Sequence, residues 1–273
     1  MRPWQWYKNL VIFIPMVFAD QLFNLSLWPI IFGGFIFLCL TSSLSYVIND
    51  ITDIKRDRAH PDKRKRPLAA GEVSIKQALA FSTLLAIVLL AWSYFMPIYF
   101  SFSALALFLS TLVYSLYLKN IMIVDIHMVA LNFIIRTLAG AILIDARPSL
   151  WLFIIIFLLA IFWAIGKRKA ELDKIRKSRT GIYGFYTTEF LSSLANVSAA
   201  MLLIAYILYT SIVHEGKLML TIPIATFMVF RYLYFIQTDH EAVKRPERIF
   251  LDKQMMVALV VWIVSIVALI SFK

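Results

Sequence analysis

An all-α membrane protein, a bundle of nine transmembrane helices, is the fold class this sequence predicts, and three observations carry the prediction. Of 273 residues, 61% are hydrophobic and only 16% charged, far from the composition of soluble domains. Apolar segments recur along the whole chain, each near the roughly 20 residues that cross a bilayer as a helix. Charged side chains gather in the stretches between them. One polytopic domain over residues 1–273 is therefore expected, with polar loops at 49–74, 166–189 and 237–254.

The chain opens on Met1-Arg2-Pro3-Trp4, which lacks the apolar run and small-residue cleavage site of a signal peptide and is not expected to be one. Aromatic and basic residues follow, as in an interfacial anchor. Span one is expected over Leu10 to Phe23, bent at Pro15, and span two over Trp28 to Ile48. Spans three (Ile75 to Tyr94) and four (Pro97 to Leu118) leave only Phe95 and Met96 between them and read as a helical hairpin. Span five covers Val124 to Ile144, and span six covers Leu150 to Ile165, with the second polar stretch starting at Gly166. Spans seven (Phe190 to Ile212), eight (Leu218 to Phe235) and nine (Met255 to Phe272) complete the set. An odd number of spans puts the termini on opposite sides.

Lys and Arg crowd the N-terminus and the loops after spans two, four, six and eight, whereas the opposite loops hold only Arg147 and Lys217, with Lys273 at the end. By the positive-inside rule the N-terminus and the three long loops are cytoplasmic, at the plasma membrane, and share one face. A formal charge of +11 is thus a matter of topology. It does not indicate nucleic acid.

The stretch Asn49 to Gly71 compresses four carboxylates and eight basic or histidine side chains into an otherwise apolar chain. On a helix Asp50, Asp53 and Asp57 fall at i, i+3 and i+7, on one face. Like charges so placed repel unless a cation sits among them, and oxygen donors with room for water favour Mg²⁺. The basic run Lys63 to Arg66 follows at once and suits phosphate, although a solvated loop would carry charge as well. In the second loop Lys167, Glu171 and Lys174 share a helical face, which by itself fits a solvated helix end as readily as a site. Arg136 is an ionisable residue inside span five, with Asn132 one turn before and Gly140 one turn after, and is expected to face the bundle interior. Four histidines, at 60, 127, 214 and 240, lack zinc spacing. The single Cys39 admits no intramolecular disulfide.

The block Asn49, Asp50, Asp53, Asp57 with its tail H-P-x-K-x-x-R-P-x-A-x-G resembles the first aspartate-rich motif of the UbiA superfamily of intramembrane prenyltransferases. The tail is similar to the branch that transfers phosphoribose to polyprenyl phosphate. So are R-P-x-Q-W-x-K-N from Arg2, Y-S-x-x-L-K from Tyr114, R-x-x-A-G from Arg136 and G-K-R-x-x-E-L from Gly166. The resemblance covers nearly the whole chain and implies a UbiA-like bundle with a cytoplasmic site. It implies Asp50, Asp53 and Asp57 as metal ligands for Mg²⁺, with Lys167 and Glu171 beside them as catalytic groups. Substrate contacts are implied for Lys8, Asn9, Asn49, Lys63, Arg66, Lys119, Arg136 and Arg168. A second aspartate-rich motif, carried by many aromatic prenyltransferases of the superfamily, is missing, and Lys167, Arg168 and Glu171 stand in its place.

The implied reaction is Mg²⁺-dependent transfer of 5-phosphoribose from 5-phosphoribosyl 1-pyrophosphate to a decaprenyl-like polyprenyl phosphate, serving cell-envelope biosynthesis. The alternative is prenyl transfer from a prenyl diphosphate to an aromatic acceptor. A transporter would spread ionisable residues through the membrane depth or break its helices at the midplane. The expected partners are these substrates and the bilayer, with a homo-oligomer left open.

Overall fold

The computed structural model describes residues 2–59, 63–175, 186–238, 243, 249 and 251–271, with only the backbone at 173–175. His60, Pro61, the Lys174 side chain, Arg176 and Lys244 to Arg248 therefore lie outside the described residues. Among those described, eight helices are long and apolar enough to cross a membrane. The expected first span takes a different form. It is a 3-10 helix over Pro3–Phe13 that continues into a short α-helix, α1 (Ile14–Phe18). Helical structure therefore starts at Pro3, where hydropathy placed the span's start at Leu10, and the α-helix stops at Phe18, short of the expected Phe23.

The other helices are α2 (Trp28–Thr52), α3 (Ile54–Ala59), α4 (Pro67–Ala70), α5 (Ile75–Ser93) and α6 (Ile98–Leu116). They are followed by α7 (Val124–Leu143), α8 (Leu150–Ile175), α9 (Thr188–Ile212), α10 (Ile222–Gln237) and α11 (Lys253–Ser271). The expected loop at 49–74 is thus largely helical. The expected end of span six is corrected as well, because α8 runs ten residues beyond Ile165. Gly166 does not break it. A Cβ there would come within 2.8 Å of the Tyr232 hydroxyl and 3.1 Å of Ile236, so the glycine permits close packing, and the Lys, Arg, Ala, Glu and Leu that follow favour helix.

The chain gathers into two compact units. The first comprises Met1–Ile14, Leu25–Tyr117 and Ile135–Asp145. Here α2 is the central element, packed against the 3-10 helix, α5 and α6. Its Thr41, Ser43 and Ser45 return their hydroxyls to the carbonyls of Phe37, Cys39 and Thr41, four residues back, which satisfies them inside an apolar helix. Ser74 and Gln77 close a capping box that starts α5. The second unit comprises Pro15–Asn24, Leu118–Ile134 and Ala146–Lys273. Its core joins Phe162, Ile165 and Leu172 of α8 to Leu191, Ala195, Ala199 and Leu202 of α9 and Phe235 of α10. Alanines along α9 let α8 lie close beside it.

Candidate active site

The aspartates belong to the first unit. α2 ends at Thr52 and α3 begins at Ile54, yet Asp53 N donates to Asn49 O (2.9 Å) and Asp57 N to Asp53 O (2.8 Å). Helical hydrogen bonding therefore carries the spacing of the three aspartates across the junction. Below them, Leu68 is buried with Val47 and Ala78, which ties α4 to α2 and α5. Pro67 occupies the first turn of α4, and Gly71 ends it at φ +84 with no atom near its absent Cβ, a left-handed conformation that suits glycine. This short element fixes Arg66 at its N-cap, in extended backbone.

Arg66 Nη1 lies 3.1 Å from Asp50 Oδ1 and 2.5 Å from Asp57 Oδ2. Asp50 also accepts from Arg2. Asp57 is only 2% exposed, so its counter-charge is an internal guanidinium. Asp53 is 3.9 Å from Arg56 on the following turn. Asn49 accepts from the Ser115 hydroxyl of α6.

Among the described residues no three His, Cys, Asp or Glu side chains stand close enough together to hold a metal. Two carboxylate oxygens nonetheless converge on one cationic atom of Arg66. Carboxylates aimed at a shared point, with Asp53 and the Asn49 amide nearby in sequence, are a donor set that fits a hard divalent cation completed by water.

Deeper in the same unit, Arg136 is 5% exposed, and its Nε donates to Asn9 Oδ1 at 2.7 Å. Asn9 Nδ2 in turn donates to Cys39 Sγ at 3.3 Å. Gly140 explains how α7 comes so near. A Cβ there would stand 2.1 Å from the Ile12 carbonyl oxygen. Lys8 Nζ donates to Gln5 Oε1 at 2.9 Å. Lys63 is half-buried on the one-turn 3-10 helix Lys63–Lys65.

The second unit holds the remaining candidates. Lys119 is half-buried on the 3-10 turn Leu118–Asn120. On α8, Lys167 Nζ is 3.8 Å from Glu171 Oε1, and Arg168 Nη1 is 3.3 Å from Glu171 Oε2. Arg168 Nε donates to Asp125 Oδ2 at 2.5 Å. Asp125 is fully buried in the first turn of α7, where the helix dipole favours a carboxylate. Its other oxygen accepts from the Tyr186 hydroxyl at 2.8 Å. That hydroxyl receives Ile123 N–H at 2.7 Å, and Ile123 has φ +70, unusual for a β-branched residue. Burial first, then the Asp125 charge, pushes the Tyr186 phenol up to about 12, so it stays a donor at neutral pH.

The structure thus brings Asp50, Asp57 and Arg66 together, groups Arg136 with Asn9, and sets Lys167 and Arg168 around Glu171. Sequence reasoning left Arg2, Asp125 and Tyr186 out of the candidate site, although Arg2 opens one family-like motif and Asp125 lies within the family-like stretch from Tyr114 to Gly140. Asp125 carried a signal, since an acid directly before an apolar helical run marks a first turn. Tyr186 carried none.

Residues 10–269 match the UbiA prenyltransferase family. Over its full length the chain is 30% identical to the decaprenyl-phosphate phosphoribosyltransferase of Mycolicibacterium smegmatis and spans 92% of that protein. It is 26% identical to the protein of the same name from Mycobacterium tuberculosis, spanning 93% of it. In fold it resembles a UbiA homolog from Archaeoglobus fulgidus bound to DMAPP and Mg²⁺, with a TM-score of 0.72 at 19% identity, over 100% of this chain and 98% of the other. Eight apolar helices, the aspartate-bearing end of α2 and a family match over nearly every residue have one meaning: this chain is an integral membrane enzyme and belongs to the UbiA prenyltransferase family.

Proposed function

We propose that this enzyme transfers 5-phosphoribose from 5-phosphoribosyl 1-pyrophosphate to a polyprenyl phosphate and releases pyrophosphate, with Mg²⁺ as cofactor. One observation carries the reading. Where a second acidic motif would serve prenyl diphosphate, α8 presents Lys167 and Arg168, the latter bonded to buried Asp125. Extra cations suit a donor with a further phosphate and an acceptor that is itself a phosphate. Full-length likeness to proteins called decaprenyl-phosphate phosphoribosyltransferases agrees with it.

In this mechanism Asp50, Asp57 and Asp53 would hold the cation, which would supply charge neutralisation at the leaving pyrophosphate. Arg66 and Lys63 would pair with phosphates. The bond from the anomeric carbon to the pyrophosphate oxygen breaks, and an oxygen of the lipid phosphate bonds to that carbon. The lipid phosphate is already anionic at neutral pH, so no general base is needed. Lys167 and Arg168 supply phosphate contacts, and Asp125 with Tyr186 keeps the Arg168 guanidinium in one orientation. The reacting face is cytoplasmic, where the basic residues lie.

The test uses purified protein with radiolabelled 5-phosphoribosyl 1-pyrophosphate plus decaprenyl phosphate and, separately, labelled prenyl diphosphate plus an aromatic acid. A labelled phosphoribosyl lipid is expected. Prenylation of the aromatic acid, with the phosphoribosyl donor ignored, would overturn the reading in favour of an aromatic prenyltransferase.

A further inference from the structure

The N-terminal segment is wound at three residues per turn, so side chains three apart stack in straight rows instead of drifting around the axis. One row, Trp6, Asn9 and Ile12, is turned into the first unit. Trp6 Nε1 donates to Ser43 Oγ at 3.1 Å, Asn9 meets Cys39 and Arg136, and Ile12 lies against Gly140. The neighbouring row is Arg2, at the N-cap, then Gln5 and Lys8.

This second row leads to the acidic cluster. Arg2 pairs with Asp50 and lies over the Tyr46 ring, 5.2 Å from its centroid. Tyr46 stands one helical turn before Asp50 on the same face of α2, and its hydroxyl donates to Gln5 Oε1 at 3.0 Å. Lys8 Nζ donates to the same oxygen at 2.9 Å. An ammonium group cannot accept a hydrogen bond, so the atom it faces must be the amide oxygen. The orientation of Gln5 is thereby fixed by chemistry, with its NH₂ turned away from Lys8 and Tyr46. No acceptor among the described residues takes that NH₂ up. A half-buried amide, held by two bonds on one side and offering two protons on the other, has the form of a recognition group.

We propose that Gln5 is a specificity-determining residue for the donor substrate: its amide NH₂ donates to an oxygen of the sugar portion, next to the pyrophosphate that Arg66 would bind. This inference rests on the phosphoribosyl reading of the site. It adds the means by which a sugar-bearing diphosphate is told from a prenyl one. A hydrocarbon chain offers no acceptor and would leave the NH₂ unpaired against it, and a site built to hydrogen-bond a polar group rejects the analogue lacking it.

Two variants and two ligands test it. Gln5→Met keeps length and charge and removes the donor. Gln5→Glu keeps an oxygen for Lys8 and Tyr46 and so preserves the local bonding should the first variant fail to fold. Calorimetric titration with 5-phosphoribosyl 1-pyrophosphate and with inorganic pyrophosphate, both with Mg²⁺, separates the sugar from the diphosphate. The expected result is a Kd for the phosphoribosyl donor raised on the order of 10-fold in Gln5→Met and 100-fold in Gln5→Glu, with pyrophosphate binding by Gln5→Met within about twofold of the unaltered protein. Equal weakening of both ligands would make Gln5 a structural support and overturn the proposal, as would no weakening of either. An unaltered protein that binds pyrophosphate but not the phosphoribosyl donor overturns the phosphoribosyl reading itself, a result distinct from either of these.

Discussion

Replacing Arg66 by Gln removes the cation that Asp50 and Asp57 share. Asp57 has 3% of its side chain exposed and meets Arg66 at 2.5 Å, so the substitution leaves a buried carboxylate without that partner. Breaking such a pair by deleting one member costs about 3–5 kcal/mol. Arg66 is itself 23% exposed, and Arg2 still balances Asp50, so water and the remaining guanidinium reduce this to about 2–3 kcal/mol. For a chain of this size the melting temperature should fall by roughly 5–10 °C. The same change should help a metal ion. In the unaltered protein Mn²⁺, standing in for Mg²⁺, must displace a guanidinium, whereas in Arg66→Gln it meets carboxylates already rid of it. Melting in detergent with and without Mn²⁺ is the assay. A concentration ten times the variant's Kd should restore about 1.4 kcal/mol to Arg66→Gln and do little for the unaltered protein, until pyrophosphate is added to take Arg66 away. Identical melting and identical Mn²⁺ responses in the two proteins would refute the reasoning.

Asp53→Asn keeps the shape and most of the hydrogen-bonding capacity of the side chain and should leave the fold intact, yet lose Mg²⁺-dependent transfer by at least about tenfold. Full transferase turnover in that variant would exclude Asp53 as a ligand. Gly140→Ala should destabilise by about 1–3 kcal/mol, because its new methyl meets a backbone carbonyl at 2.1 Å that cannot rotate away; an unchanged melting temperature would show that α7 does not approach the 3-10 helix this closely. His214 accepts from or donates to Tyr209 at 2.9 Å, and burial, then the Lys217 charge, holds it below its ordinary 6.5. A base with a depressed folded pKa contributes stability that is present above 6.5 and lost as pH falls below it. His214→Gln should therefore flatten the loss of melting temperature below pH 6.5, measured from pH 7.5 down to 5.

Much of the fold was legible because hydropathy reports where a helix enters and leaves the hydrocarbon. It does not report where the helix itself ends. The charged run from Lys167 to Glu171 ended the expected sixth span, but those residues favour helix and α8 carries them to Ile175. The reverse error occurred at the N-terminus, where Gln5, Lys8 and Asn9 delayed the expected start to Leu10. Their polarity is spent inside the protein, on Tyr46, Cys39 and Arg136, and a 3-10 winding has no distinct apolar period in so short a segment.

The site divides along the same line between local and long-range order. The spacing of Asp50, Asp53 and Asp57 is a local property, and the expectation of Mg²⁺ among them comes from it alone. The guanidiniums that meet Asp50 and Asp57 are a tertiary property. Arg2 comes from 48 residues away and Arg66 from an extended N-cap fixed by Leu68 and Pro67, and no sequence period announces either. The same holds for Asp125, whose partners Arg168 and Tyr186 lie 43 and 61 residues onward. Such internal pairing has a functional consequence. Leaving a buried carboxylate such as Asp57 uncompensated in an apolar bundle is costly, so Arg66 leaves it most readily when another cation arrives, and a guanidinium leaving one anion is stabilised most by another. On the proposed reading, metal and pyrophosphate entering together would satisfy both demands, since Asp50 and Asp57 would then face a metal cation while Arg66 faced a phosphate. Metal affinity measured without pyrophosphate should therefore understate the affinity of the working site, and Arg66→Gln should narrow the difference between the two.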